Sequence, residues 1–138
     1  ASLRRLKETN KKRVKFVNSL IQMIKKKKIR SCKILNFHKN CAPFFLPIIY
    51  DKTIFKVSKK NFANILLQEG IPLGAHYGCI VSDWNWAKKY LNDKFRPINA
   101  IKSRDNCFHL YLNEKYGKKE AIDIVNAILK IESFYTKN

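Results

Sequence analysis

Two long segments, one at each end of the chain, repeat their apolar residues with the spacing of an α-helix, and they constrain the fold more than any other feature. In residues 2–28 the apolar face consists of Val14, Phe16, Val17, Leu20, Ile21, Met23 and Ile24. In the second segment, from Gly117 to about Phe134, the apolar face consists of Ala121, Ile124, Val125, Ile128 and Ile131, and Tyr135 continues it. Both segments are long enough for several helical turns, and both must bury their apolar face against something else.

Three shorter segments between them have the character of β-strands. In the segment 107–112 successive side chains would point to opposite faces of a strand. Phe108, Leu110 and Leu112 would then share one face, and Cys107, His109 and Tyr111 the other. The segment 44–50 is apolar but contains Pro47, which predicts an edge or a bulge at that point because proline cannot donate to a ladder. The segment 73–77 is a third, shorter candidate.

A further helix is marked at both ends by its capping residues. Ser58 is a typical N-cap, Gly70 is placed as a left-handed C-cap residue, and Pro72 follows at the usual distance. Short helices are predicted over residues 84–91 and from Pro97 to about Arg104. The sequence therefore predicts an α+β fold, with a long N-terminal helix and a mostly antiparallel sheet of about three strands covered by helices. We expect one domain, 1–138.

The chain has 138 residues, of which 46% are hydrophobic, and a formal net charge of +19. Such a charge is typical of proteins that bind nucleic acid or an acidic membrane surface, but a genome rich in A and T would also produce it by adding lysines. Nucleic acid is therefore an open but not favoured partner. No apolar run reaches the length of a membrane span, and no secretory signal is evident, so we expect no membrane association and a cytoplasmic protein.

Three His–Cys pairs raise the question of a metal site. They are His38 with Cys41, His76 with Cys79, and Cys107 with His109. Closely spaced pairs are how a chain usually supplies a tetrahedral zinc site, but zinc pairs normally lie in tight polar turns, and Cys107 and His109 lie in an apolar strand pattern. We therefore predict no metal site and expect the cysteines to be reduced and mostly buried.

The sequence contains none of the common nucleotide-binding or hydrolase motifs, and its acidic residues are too sparse for a paired-carboxylate site. The most informative local pattern is the segment 70–77, in which His76 and Tyr77 end an extended stretch that follows a capped helix. Both side chains donate and accept hydrogen bonds, and loops at strand ends often carry binding groups. An alternative is that both residues only satisfy polar groups of the domain itself.

The chain contains two longer motifs, E-G-I-P-x-G-x-H-Y at residues 69–77 and C-x-H-L-x-L-N-E-K-Y at residues 107–116. In this order they resemble the C-terminal part of the DegT/DnrJ/EryC1/StrS family of sugar aminotransferases. The flanking elements agree with the family from about Asn10 to Tyr135, and residues 1–30 resemble the helix that leads from its large domain into its small one. The chain departs from the family pattern at Gly78 and the residues after it, at Tyr111, and at Pro43.

The resemblance implies that residues 1–30 lead into a small domain at 31–138, which would belong to a fold-type-I enzyme that uses pyridoxal phosphate. In that family the cofactor forms a Schiff base with a lysine that precedes the region matched here, so we expect no catalytic residue in these 138 residues. The parent protein would move an amino group from an amino acid such as glutamate to a nucleotide-linked keto-sugar, as a homodimer, in amino-sugar or polysaccharide biosynthesis. His76 and Tyr77 would bind the substrate. A non-catalytic relative and a basic nucleic-acid-binding module are the alternatives.

Overall fold

The strands form one sheet, and the three longest helices cover one of its faces. The structure is a computed structural model, and it describes residues 2–35, 41–92 and 94–135. In chain order the elements are α1 (Ser2–Lys26), β1 (Cys32–Ile34), β2 (Phe45–Tyr50), α2 (Lys59–Gln68), β3 (Leu73–Gly74), a 3-10 turn (Val81–Asp83), α3 (Asn85–Lys88), α4 (Ile98–Asn106), β4 (Cys107–Tyr111) and α5 (Lys118–Tyr135). The predicted α+β class, with its long first helix, is confirmed.

The sheet has four strands in the order β1-β2-β4-β3, and every neighbouring pair is antiparallel. The three predicted strands are present, although the one predicted over residues 73–77 contains only Leu73 and Gly74. The sequence did not reveal β1, because three residues with Lys33 in the middle are too few to show an alternation.

Pro47 lies in β2, which has a strand on each side. The main-chain nitrogen of Asp51 donates to the carbonyl oxygen of Ser31 on the β1 side, at 2.8 Å. The alternation of an antiparallel ladder turns the nitrogen of Pro47 to that same side. The last paired residues of β1 and β2 are Ile34 and Ile48, and Ile48 directly follows Pro47 in the sequence. Pro47 itself has no partner on β1. The prediction of an edge or a bulge at Pro47 is therefore wrong, because β2 is an inner strand with a continuous register to β4. The proline is tolerated because its nitrogen faces the β1 side just beyond the last paired residues.

The core lies between one face of the sheet and helices α1, α2 and α5. The buried residues of the two end helices are Phe16, Val17, Leu20 and Ile24 in α1, and Ala121, Ile124, Val125, Ala127, Ile128, Ile131 and Glu132 in α5. From the sheet, Leu46, Ile48 and Tyr50 alternate with less buried residues along β2. The predicted apolar faces of α1 and α5 are therefore confirmed. Leu3 and Leu6, which continue the α1 pattern upstream, are exposed.

The surface of α1 opposite the core is basic. Arg4, Lys7, Lys11 and Lys15 are all exposed, and their spacing of three or four residues puts them on one side of the helix. In residues 2–35, 41–92 and 94–135, no helix combines the length and apolar character needed to cross a lipid bilayer.

The end of α1 has an unusual residue for its backbone conformation. The main-chain nitrogen of Lys28 donates to the Lys25 carbonyl and that of Ile29 donates to the Ile24 carbonyl, which is the hydrogen-bond pattern of a Schellman motif. The left-handed position of this motif is Lys28, with φ = 53°. In α2 the same position is occupied by Gly70, with φ = 85°. Lys28 is thus the less favourable choice for the same turn.

We expect Lys28→Gly to raise the free energy of unfolding by about 0.5–1 kcal/mol, because glycine adopts a left-handed conformation without the steric cost of a side chain. Gly70→Ala is the matched control and should lower stability by a similar amount, about 1 kcal/mol. A Cβ at Gly70 meets no atom within 4 Å, so its cost isolates the backbone preference. Urea denaturation measures both changes, and a loss of stability in Lys28→Gly would contradict the interpretation.

Candidate functional site

The sheet face opposite the core forms the floor of an open cleft of about 480 Å³. Its walls are the loop after β3, the 3-10 turn and α4. Among its lining residues are Pro47, Tyr77, Ile80, Ser103, Arg104 and His109. The lining is mostly apolar with a few polar groups, and the volume lies within the range of about 300–1,000 Å³ that is common for small-molecule sites. Tyr77, one of the two predicted binding residues, therefore lines this cleft.

Tyr77 and His109 meet at the cleft because β3 and β4 are paired. Gly74 lies opposite His109 in the ladder, which brings the loop that follows β3 over the middle of β4. The ring centroids of Tyr77 and His109 are 5.1 Å apart at an interplanar angle of 75°, and Phe45 is 4.8 Å from His109 at 72°. These edge-to-face contacts pack the imidazole against two aromatic rings.

Gly74 also lies close to the side chain of Tyr111. A Cβ at this position would lie 3.1 Å from the hydroxyl oxygen of Tyr111, which is closer than side chains normally tolerate. A larger residue would therefore displace Tyr111 or the short strand β3. The glycine of the first sequence motif thus has a packing role beside the second motif.

His109 is the main polar group of the cleft that the sequence did not single out as a binding residue. Partial burial of the ring lowers its pKa below the ordinary value, and the positive charge of Lys59 acts in the same direction. The imidazole is therefore neutral at physiological pH and can both donate and accept a hydrogen bond. The sequence signals for it were its place in the second motif and its pairing with Cys107, which was weighed as a metal site.

His76 faces another side of the loop from Tyr77. Its Nδ1 lies 3.3 Å from the Nζ of Lys59, which also donates to the carbonyl oxygens of Arg104 at 3.1 Å and Cys107 at 3.0 Å. His76 lines a separate hollow of about 350 Å³, near Ser58 and Lys60. The structure therefore does not bring the two predicted binding residues into one cleft.

Lys59 ties the two regions together. The carbonyls that accept its hydrogen bonds lie at the end of α4 and the start of β4, where a cation is stabilised by the exposed carbonyl dipoles. Desolvation lowers the pKa of Lys59, while the nearby Asp105 and Cys107 oppose that shift. Nothing in the sequence distinguished Lys59 from the other lysines and arginines, of which the chain has 29 in total. Its position depends entirely on the tertiary structure.

We expect Lys59→Met to lower the free energy of unfolding by about 1–3 kcal/mol, because two partly buried carbonyl groups lose a charged donor. Lys60→Met is the control, since this neighbouring lysine is exposed and its removal changes the net charge equally. Chemical denaturation of the two variants gives the comparison. Equal stability of both variants would show that the hydrogen bonds of Lys59 add nothing.

Arg104 closes one wall of the cleft through ion pairs. Its guanidinium contacts Asp83 at 3.2 Å and Asp105 at 3.0 Å. The contact with Asp83 joins α4 to the 3-10 turn, so it connects two walls of the cleft. Both pairs are partly exposed, and their contribution to stability is small.

The cysteines do not form a metal site in the part of the chain that the structure describes. No three His, Cys, Asp or Glu side chains converge there, and His38 lies outside that part. Cys32 and Cys107 are buried, Cys41 is half-buried and Cys79 is exposed. Burial raises the pKa of the Cys32 thiol to about 12, so this sulfur stays protonated and unreactive.

Lys59 does not fit the role of a Schiff-base lysine for pyridoxal phosphate. Lys59 is the lysine whose pKa is lowered, but its Nζ already donates to two carbonyl oxygens and contacts His76. An amine held in this way cannot approach an aldehyde without breaking those contacts. We therefore assign no step of cofactor chemistry to these residues.

No protein-family model matches the sequence, and no curated protein matches it significantly. The resemblance to sugar aminotransferases consequently stays a prediction, and so do the roles that it implies for His76 and Tyr77.

Proposed function

We propose that this chain is the C-terminal small domain of an aminotransferase that uses pyridoxal phosphate and acts on a nucleotide-linked keto-sugar. The observation that carries the proposal is the meeting of the two resemblance motifs at one cleft. The motifs at 69–77 and 107–116 are separated by about thirty residues, yet Gly74 pairs with His109 and the ring of Tyr77 contacts it. Two motifs that share a function would be expected to share a surface.

In this proposal the chain contributes substrate contacts and no covalent chemistry. Tyr77 and the neutral His109 offer hydrogen bonds to sugar hydroxyl groups, and the apolar side chains of Pro47 on the floor and Ile80 on the wall cover the carbon face of the ring. His76 would bind the substrate from its own side of the loop. Pyridoxal phosphate, when bound, supplies the carbanion stabilisation for amino transfer, and a domain outside these 138 residues would hold it. The parent would be a cytoplasmic homodimer that takes an amino acid as its donor.

The coding sequence upstream of residue 1 tests the proposal directly. We expect it to encode a large α/β domain with a lysine that follows a strand. In that longer protein, Tyr77→Ala and His76→Ala should each lower turnover of the sugar while the absorption spectrum of the bound cofactor stays unchanged. Tyr90→Ala is the control, because Tyr90 is exposed and does not line the cleft. An unrelated upstream domain, or loss of the cofactor in the two variants, would refute the proposal.

A basic nucleic-acid-binding module is the second candidate, and the exposed face of α1 favours it. Arg4, Lys7, Lys11 and Lys15 form a row of cations that could follow a phosphate backbone. The exposed Glu8, which pairs with Lys12, is the acidic residue nearest to this row in the sequence.

If the charge reflects composition alone, affinity for duplex DNA or RNA should be weak and should disappear near physiological salt, because it would depend only on counterion release. Fluorescence anisotropy with labelled duplexes over a range of salt concentrations measures this. Sub-micromolar binding that persists at physiological salt and is lost in Lys7→Glu with Lys11→Glu would favour the second candidate instead.

A further inference from the structure

The segment between the 3-10 turn and α4 carries exposed aromatic side chains. Both tryptophans of the chain lie in it, Trp84 with 40% of its surface exposed and Trp86 with 58%, and Phe95 follows with 49%. The ring centroids of the two tryptophans are 5.6 Å apart at an interplanar angle of 44°. Aromatic rings are among the side chains that gain most from burial, so a group of exposed rings marks a surface for interaction.

Cations lie among these rings. The stretch 84–98 contains one acidic residue, Asp93, which lies outside the described residues, and four basic ones, Lys88, Lys89, Lys94 and Arg96. The main-chain nitrogen of Lys88 donates to the carbonyl oxygen of Trp84 at 3.2 Å, so this lysine stands one helical turn after the ring of Trp84. The Nζ of Lys89 lies 4.9 Å from the ring centroid of Tyr90 and occupies one face of that ring.

A hollow of about 420 Å³ connects the cations with the rings, because Lys88, Phe95 and Arg96 all line it. The carboxylate of Asp83 is also in the lining, but it pairs with the guanidinium of Arg104 at 3.2 Å, which compensates its charge. Positive charge therefore prevails in the hollow beside the exposed rings. We call the surface formed by Trp84, Trp86, Lys88, Phe95 and Arg96 the aromatic surface.

We propose that the aromatic surface binds a single strand of RNA or DNA. The unpaired bases of such a strand offer flat faces that stack on aromatic rings, and its phosphates contact cations between the rings. In a duplex the bases are already stacked on each other, so a duplex could use only the phosphate contacts. The carboxylates of an acidic peptide would pair with the cations, but they offer no face to the rings. The aromatic surface contains no residue of α1, shares Phe95 with the cleft, and does not depend on the aminotransferase proposal.

Tryptophan fluorescence reports from the site itself, because both tryptophans of the chain belong to the aromatic surface. A strand of about ten thymidines, or of about ten uridines, should quench the emission near physiological salt, since that length lies in the usual range of single-strand sites. The fluorescence anisotropy of labelled strands gives the affinities, and tight binding of either strand supports the proposal. An abasic strand of the same length carries the same phosphates without bases, and it should bind about tenfold more weakly.

Trp86→Ala should weaken binding about tenfold, because one stacked base loses its ring, whereas Trp86→Phe should retain most of the affinity. Phe134→Ala is the matched control, since Phe134 is an exposed aromatic residue on α5, and it should change the affinity less than about twofold. These substitutions should leave the fold intact, because α3 contacts chiefly the 3-10 turn among the described elements. Urea denaturation checks that the stabilities are equal.

Lys88→Gln should reduce the slope of log affinity against log salt by about 0.7, the value for one phosphate contact of a single strand. Lys118→Gln removes the same charge from an exposed position at the start of α5 and should leave the slope unchanged.

Equal affinity for the abasic strand or for a duplex, or equal effects of Trp86→Ala and Phe134→Ala, would overturn the proposal, since charge alone would then explain the binding. Equal quenching by phosphatidylserine vesicles would also overturn it and would identify an anionic membrane as the ligand. Emission that changes with protein concentration without nucleic acid would overturn it as well, because a second copy would cover the tryptophans.

Discussion

Ile128→Ala should destabilise the protein by about 2–5 kcal/mol, the range for a large-to-small change at a buried site. Ile128 is fully buried at 0% exposure, in α5, which packs against α1 and α2. The substitution removes three carbon atoms and leaves a cavity that neighbouring helices can only partly close. Ile124→Ala should fall in the same range, since Ile124 is 4% exposed.

Ile122 supplies the control on the same helix. It is 40% exposed, so Ile122→Ala should change stability by no more than about 0.5 kcal/mol, as is usual for surface positions. Thermal and urea denaturation of the three variants would measure the difference. A cost for Ile128→Ala as small as that for Ile122→Ala would mean that α5 is not packed as described.

Glu132→Ala should have the second large effect and lower the free energy of unfolding by about 2–4 kcal/mol. This buried carboxylate accepts hydrogen bonds from the main-chain nitrogens of Arg30 at 2.8 Å and Ser31 at 2.6 Å. Ser31 is itself fully buried, so alanine at position 132 would leave a donor there without its partner. Arg30 is exposed, so water can replace its bond, whereas the bond from the buried Ser31 nitrogen to a charged group contributes about 1.5–3 kcal/mol, and the unsatisfied donor adds a desolvation cost.

Glu132→Gln separates hydrogen bonding from charge in this site. Its amide oxygen can still accept from both nitrogens, so the loss should be smaller than with alanine. Glu120→Ala provides the exposed comparison, because Glu120 likewise accepts from a main-chain nitrogen, that of Gly117, at 2.7 Å. Hydrogen exchange at Ser31 would rise in Glu132→Ala and stay unchanged in Glu120→Ala. Equal stabilities of all three variants would remove Glu132 from the set of residues that hold β1 in place.

The sequence by itself was sufficient for the elements whose stability depends on near neighbours. The helix of residues 59–68 was predicted with both its caps, and the structure shows the nitrogen of Asn61 donating to the Ser58 hydroxyl and Gly70 in the left-handed region. Such interactions join residues no more than a few positions apart, so they leave a local signature. The apolar faces of α1 and α5 were visible for the same reason, because a helical period is repeated within each segment.

Tertiary structure alone decided the features that join distant residues. The strand β1 has three residues and no periodicity, and its neighbouring turn depends on Glu132, 102 positions from Arg30. His76 and Tyr77 are adjacent in the sequence, yet they contact different residues. The register of β3 on β4 places the ring of Tyr77 against His109, whereas His76 contacts the Nζ of Lys59. A register is set by how whole faces pack, and a shift of one residue would exchange those faces. No local pattern contains that information, because its energy lies in contacts that exist only after the chain has folded.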